Sequence, residues 1–167
     1  PNVTELGANA FSDCSSLKNF KAENLVIIGD EAFASSTQTK QTGIFTTITI
    51  PNVTTIGTKA FYRCKQLANI DLSNVTSLGA YAFRECSALR SVTLGEGITR
   101  IENYTFYGCS RLTTIDLSNV TYIGYAAFYV APLYKTLNLD KIEVLGDMAF
   151  YNGGTLLVET LNAPNLR

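Results

Sequence analysis

The sequence predicts a solenoid of α/β type, with short parallel β-strands stacked coil upon coil on one face and short helical turns opposite. Three observations carry this. An Ala-Phe pair, Thr-Phe once, places Phe at 11, 33, 61, 83, 106, 128 and 150, with spacings of 22, 28, 22, 23, 22 and 22 residues. The stretch Phe61 to Ala82 returns almost intact as Phe106 to Ala127, with Cys, Leu, Ile, Leu, Asn-Val-Thr and Gly at the same offsets. A unit of this length cannot bury its apolar face alone, so a fixed period means that successive units stack.

Each piece of the unit has a physical reading. A Gly stands four residues before the marker Phe at 7, 29, 57, 79, 124 and 146, and only Glu102 breaks the series. A Gly recurring at one register implies either a positive φ or a corner too tight for a side chain. Three residues after the marker stand Cys14, Cys64, Cys86 and Cys109. The L-x-x-I-x-L pattern that follows (Leu67, Ile70, Leu72; Leu89, Val92, Leu94; Leu112, Ile115, Leu117) alternates as a strand with one buried face does. Val75 and Leu78 supply two further inward residues before the next Gly. Around Tyr81-Ala82-Phe83 the unit has room for a single helical turn and no sustained helix.

Stacking sets equivalent strands about 4.8 Å apart. Phe11, Phe33, Phe61, Phe83, Phe106, Phe128 and Phe150 then form a ladder on the wall opposite the strands, and the cysteines form another. Residues 1–167 read as one domain of about seven 22–23-residue coils. The polar stretch 34–41 lacks periodicity and reads as an inserted loop. In the last coil Asn152-Gly153-Gly154 replaces the Cys region, and Leu157, Leu161 and Leu166 fit only with two extra residues. Pro1-Asn2-Val3-Thr4 repeats Pro51-Asn52-Val53-Thr54, so the chain reads as part of something longer.

Composition narrows the function classes. A net charge of −1 is unlike the basic footprint of a nucleic-acid binder. No run of 18 apolar residues suggests membrane insertion. The chain has no His, so a Ser-His or Cys-His nucleophile pair cannot form. The Cys spacings of 50, 22 and 23 residues match no C-x-x-C site, and neither metal nor cofactor is expected. Three of the cysteines share a register, with Cα atoms about 5 Å apart. Side chains pointing the same way disfavour a bridge, so free, buried thiols are expected at all four.

L-x-x-I-x-L followed by Asn, Val and Gly-x-x-Ala-Phe-x-x-Cys resembles leucine-rich repeats, and more narrowly the BspA-like class. The resemblance implies a right-handed solenoid with its parallel sheet on the concave face. It also implies a non-enzymatic module of a secreted or cell-surface protein, active in adhesion to host or other cell-surface proteins. The family pattern contains no catalytic residues.

Two surfaces compete as a binding site. Outward strand positions are small and polar: Asn19, Thr47, Asn69, Ser91, Thr114, Thr136 and Thr160, then Lys21, Thr49, Asp71, Thr93, Asp116, Asn138 and Asn162. Hot spots favour Tyr, Trp and Arg, so this face is the lesser candidate. Asp71 and Asp116, about 9–10 Å apart across two coils, approach an inverting-glycosidase separation, but exposed polar positions explain them better. On the flank, Tyr62, Tyr107, Tyr129 and Tyr151 follow the marker Phe directly, Arg84 holds the same register, and Tyr81 and Tyr104 lie nearby. Such a line could anchor a protein or stack on a glycan, or simply cover the flank of a structural spacer. Asn-x-Thr sequons at Asn2, Asn52, Asn74, Asn103 and Asn119 are mostly the repeated Asn-Val-Thr corner, where Asn is expected to satisfy backbone groups.

Overall fold

The computed structural model describes residues 2–36, 46–133 and 137–153. Each coil contributes up to two strands. The longer line runs through β2 (Asn19–Lys21), β4 (Thr47–Thr49), β6 (Asn69–Leu72), β8 (Ser91–Leu94) and β10 (Thr114–Ile115). The shorter line holds two-residue strands: β1 (Glu5–Leu6), β3 (Ile27–Ile28), β5 (Thr55–Ile56), β7 (Ser77–Leu78), β9 (Arg100–Ile101), β11 (Tyr122–Ile123) and β12 (Val144–Leu145). Every pairing is parallel and in register with the repeat, as in Ile70↔Val92 and Ile56↔Leu78. Alternation does what the pattern requires: in β6, Ile70 and Leu72 are buried while Asn69 and Asp71 face outward.

The interior is built of ladders. Leu67, Leu89 and Leu112 are wholly buried, as are Phe33, Phe61, Phe83, Phe106 and Phe128. The marker rings stack continuously from Phe11 to Phe150, with centroids 5.0–5.5 Å apart and planes within 14°. Phe20, in the strand register of Ile48, closes the first coil by meeting Phe11 and Phe33 edge-on.

The expected helical turns are absent among the described residues. Around each marker the backbone instead adopts a left-handed conformation two residues before Phe, at Asn9, Glu31, Lys59, Tyr81, Tyr104, Ala126 and Met148. It does so again two residues after, at Asp13, Arg63, Glu85, Gly108, Val130 and Asn152. Alternate amides then close four-residue turns within the coil, as in Ala82 N–H to Gly79 O and Arg84 N–H to Tyr81 O. The intervening amides donate to the next coil: Tyr81 to Asn103, Phe83 to Thr105 and Glu85 to Tyr107, at 2.7–3.0 Å. A helix would direct all of these amides along its own axis. Residues of opposite hand turn every second one toward the neighbouring coil, so the wall opposite the strands is also bonded coil to coil.

The recurring Gly is explained by contact. A Cβ on Gly29, Gly57, Gly79, Gly124 or Gly146 would lie 2.5–2.7 Å from atoms of the preceding coil, and none of these glycines has positive φ. Gly7, in the first coil, has nothing within 4 Å of that position.

The cysteine expectation needs one correction. Cys64, Cys86 and Cys109 are free and buried, and their thiols donate to the carbonyls of Phe33, Phe61 and Phe83 at 3.1–3.3 Å. Burial pushes all three thiols well above the ordinary range. Cys14 is exposed. A thiol reagent at pH 8 should therefore label one cysteine in the native protein and three more after unfolding. Four protected thiols would restore an inward Cys14.

Of the expected 34–41 loop, Ala34–Ser36 are described. The Ser36 amide donates to Asp13 at 2.7 Å, and its carbonyl accepts from Arg63 Nη1 at 3.4 Å. Residues 37–41 lie outside the described residues, as do Thr136, Leu157, Thr160, Leu161, Asn162 and Leu166.

Candidate functional site

The flank follows from the turn geometry. With the marker ring directed inward, the next residue faces out, and its carbonyl accepts a hydrogen bond from the coil before. Tyr107 O takes Glu85 N–H, Tyr129 O takes Gly108 N–H, and Tyr151 O takes Val130 N–H. These bonds fix the spacing, so the rings stack: Tyr107 on Tyr129 at 4.7 Å and Tyr129 on Tyr151 at 5.1 Å. A second line starts from left-handed positions, with Tyr81 and Tyr104 stacked at 4.8 Å. Tyr125 meets Tyr104 edge-on and donates its hydroxyl to the Met148 sulfur at 3.5 Å.

Arg84 interrupts the first line and joins it to the second. Its guanidinium lies 4.7 Å from the Tyr107 ring centre, 5.5 Å from Tyr104, 5.8 Å from Tyr81 and 5.9 Å from Tyr62. Its buried Nε is 3.4 Å from the Glu85 carboxylate, too poorly aligned for a hydrogen bond. Glu85 is held instead by Arg63 Nε at 2.8 Å, which raises the Arg63 pKa, and Arg63 itself lies over Tyr62 at 4.7 Å. Desolvation pushes the Tyr104 hydroxyl up. All seven flank residues expected from the sequence thus fall in one contiguous array, and the structure adds Arg63, Glu85, Tyr125 and Met148 to it. The Arg63–Glu85 pair had a sequence signal: opposite charges at one register of adjacent coils.

Stacked rings spend their faces on one another. A ligand would meet ring edges, hydroxyls and a guanidinium, so sugar stacking on ring faces loses its geometric basis along most of the line. Tyr151, 57% exposed, is the most open ring of the array.

The strand face is differently occupied. Asp71 accepts from the Ser73 amide and hydroxyl, Asp116 from the Ser118 amide at 2.9 Å, and Asn138 from the Asp140 amide at 2.9 Å. These are Asx turns, the first two at the end of a strand, and D-x-S at those two is a signal that could have revealed them. Asn69 and Asn19 accept from Ser91 and Thr47 of the next coil. Thr93 pairs opposite Asp71 in the sheet. The corner Asn52 and Asn74 donate to carbonyls of the preceding coil at 2.6–2.7 Å, the backbone role expected of the Asn-Val-Thr corner.

Comparison with known families decides the class. The model of the BspA type leucine rich repeat region matches six copies, over residues 1–45 and 40–156. The chain belongs to this family. It is similar to a leucine-rich repeat protein from Bacteroides ovatus, with 32% identity, TM-score 0.55, 59% of this chain and 26% of that one covered. It is also similar to the T. pallidum leucine rich repeat protein, with 25% identity, TM-score 0.53, 74% of this chain and 65% of that one covered. The chain thus spans about a quarter of the first and just under two thirds of the second. No curated protein matches it. BspA-type chains are repeat scaffolds, typically non-enzymatic and often used for protein binding. Among the described residues no helix is long and apolar enough to cross a membrane.

Proposed function

We propose that this chain is a non-enzymatic, protein-binding module of a secreted or cell-surface protein, and that its flank carries the contact. The observation that supports this is the continuous array Tyr62, Tyr81, Arg84, Tyr104, Tyr107, Tyr129 and Tyr151, already ordered by stacking and coil-to-coil bonds. Rings held this way have little rotamer freedom left to lose on binding, and Tyr and Arg are the residues that most often dominate interfaces. The strand face is poorer in both respects, since its carboxylates already cap their own turns. Adhesion to a host or neighbouring-cell protein is the role this reading assigns, and the family's frequent use as a binding scaffold supports it.

The test is an array of purified extracellular-matrix and cell-surface proteins. For a partner so identified, Tyr107→Ala with Tyr129→Ala should weaken binding by about 2 kcal/mol or more, while Asp71→Ala with Asp116→Ala changes it little. The reverse ranking, with the fold intact by circular dichroism, would move the contact to Asn69, Asp71, Thr93, Asp116 and Asn138. A chain that binds nothing on the array would favour a spacer.

A further inference from the structure

Across the strands from the acidic Asx turns, charge changes sign. The corner between each Cys and its strand, residues 64–68, 86–90 and 109–113, contains Lys65, Arg90 and Arg111 and no carboxylate. Small side chains lie between these long ones, leaving two recesses of about 510 and 290 Å³ that adjoin at Ser110 and Arg111. Lys65 and Ser87 line the first, and Arg90 and Thr113 the second. Elsewhere the described arginines are matched: Arg63 and Arg84 contact Glu85, and Arg100 contacts Glu102. Arg90 and Arg111 are exposed and make no ion pair with any described residue.

We propose that this furrow is a second binding site, separate from the Tyr flank, for an acidic polysaccharide. Its guanidinium forks, unpaired among the described residues, suit carboxylate or sulfate groups, and the hydroxyls of Ser87 and Ser110 suit the sugar hydroxyls between them. The furrow offers no aromatic or large aliphatic anchor of the kind that protein interfaces use. Nor does its floor offer a free peptide edge to an added strand. The Ser87 and Ser110 amides close their own turns, Arg90 N–H donates to Ala68 O, and Arg90 O accepts from Thr113 and Thr114. A polysaccharide needs no such edge.

Heparin, a sulfated uronate chain, is the probe, with neutral dextran and poly-glutamate beside it. Heparin should bind at low salt and release as salt rises, because the contacts are exposed charges. Arg90→Ser with Arg111→Ser should weaken it about tenfold, the equivalent of about 1.4 kcal/mol. Tyr107→Ala with Tyr129→Ala should leave it unchanged, which keeps this site separable from the flank. The proposal fails if heparin does not bind, if the arginine pair makes no difference, or if poly-glutamate binds as tightly as heparin. That last outcome would point to an acidic protein segment instead.

Discussion

Phe83→Ala should remove about 3–5 kcal/mol of stability, read as a fall in the urea midpoint at unchanged slope. The ring is wholly buried and stacked on both sides, 5.0 Å from Phe61 and 5.5 Å from Phe106. Both neighbours belong to coils fixed by backbone bonds: Phe61 N–H to Ala82 O, and Phe83 N–H to Thr105 O. The walls of the cavity cannot collapse without breaking those bonds, which places the cost at the upper end for an aromatic deletion. Phe11 and Phe150 are only partly buried, so the same change there should cost less. A loss below about 1 kcal/mol at Phe83 would mean that the ladder does not hold the coils together.

Gly79→Ala should be damaging out of proportion to a single methyl group. The new Cβ would lie 2.5 Å from the Gly57 carbonyl carbon and the Thr58 nitrogen, which are backbone atoms that cannot swing aside. Gly79 N–H also holds Ile56 O at 2.8 Å, so relief by widening the gap sacrifices the bond that sets it. Overpacking of this kind costs about 1–3 kcal/mol, occasionally more. Gly7→Ala is the internal control. Its Cβ meets nothing, its φ is not positive, and loss of unfolded-chain entropy should leave stability unchanged or raised by about 0.4–1 kcal/mol. Equal costs at the two positions would mean that the register needs Gly for a reason other than contact.

What the sequence could disclose was whatever the stack repeats. The Phe ladder, the Gly contact and the buried thiols at 64, 86 and 109 depend only on identical residues meeting coil after coil, and periodicity displays that directly. The turns depend on backbone hand, which these residue types do not encode. Left-handed positions are filled by Asn9, Glu31, Lys59, Tyr81, Ala126 and even the β-branched Val130. Nothing in that set distinguishes it from a short helical turn; coil-to-coil bonding imposes the conformation. Cys14 shares the register of the three buried thiols yet is exposed, so register alone does not determine burial. On the flank, the tyrosines were legible as a line, whereas their mutual stacking and the insertion of Arg84 among four rings required the spacing in three dimensions.

The bonds around the markers also have a direction. From the coil of Phe11 to that of Phe128, the amides at the marker and two residues to either side donate toward the following coil: Phe11 to Ala32, Phe61 to Ala82, Phe128 to Ala149. Peptide dipoles in these columns therefore add rather than cancel, each about 3.5 D. Along these columns the carbonyl oxygens point back toward the preceding coil and the amide hydrogens toward the following one, so the wall is polarised along the stack. That is the reverse of an α-helix, whose amide end is its N-terminus. The Gly column opposes it, with Gly29 N–H donating back to Leu6 O and Gly146 N–H back to Ile123 O. Each coil thus carries two antiparallel currents of hydrogen bonds, so the polarity of one wall is offset by that of the other rather than accumulating along the stack.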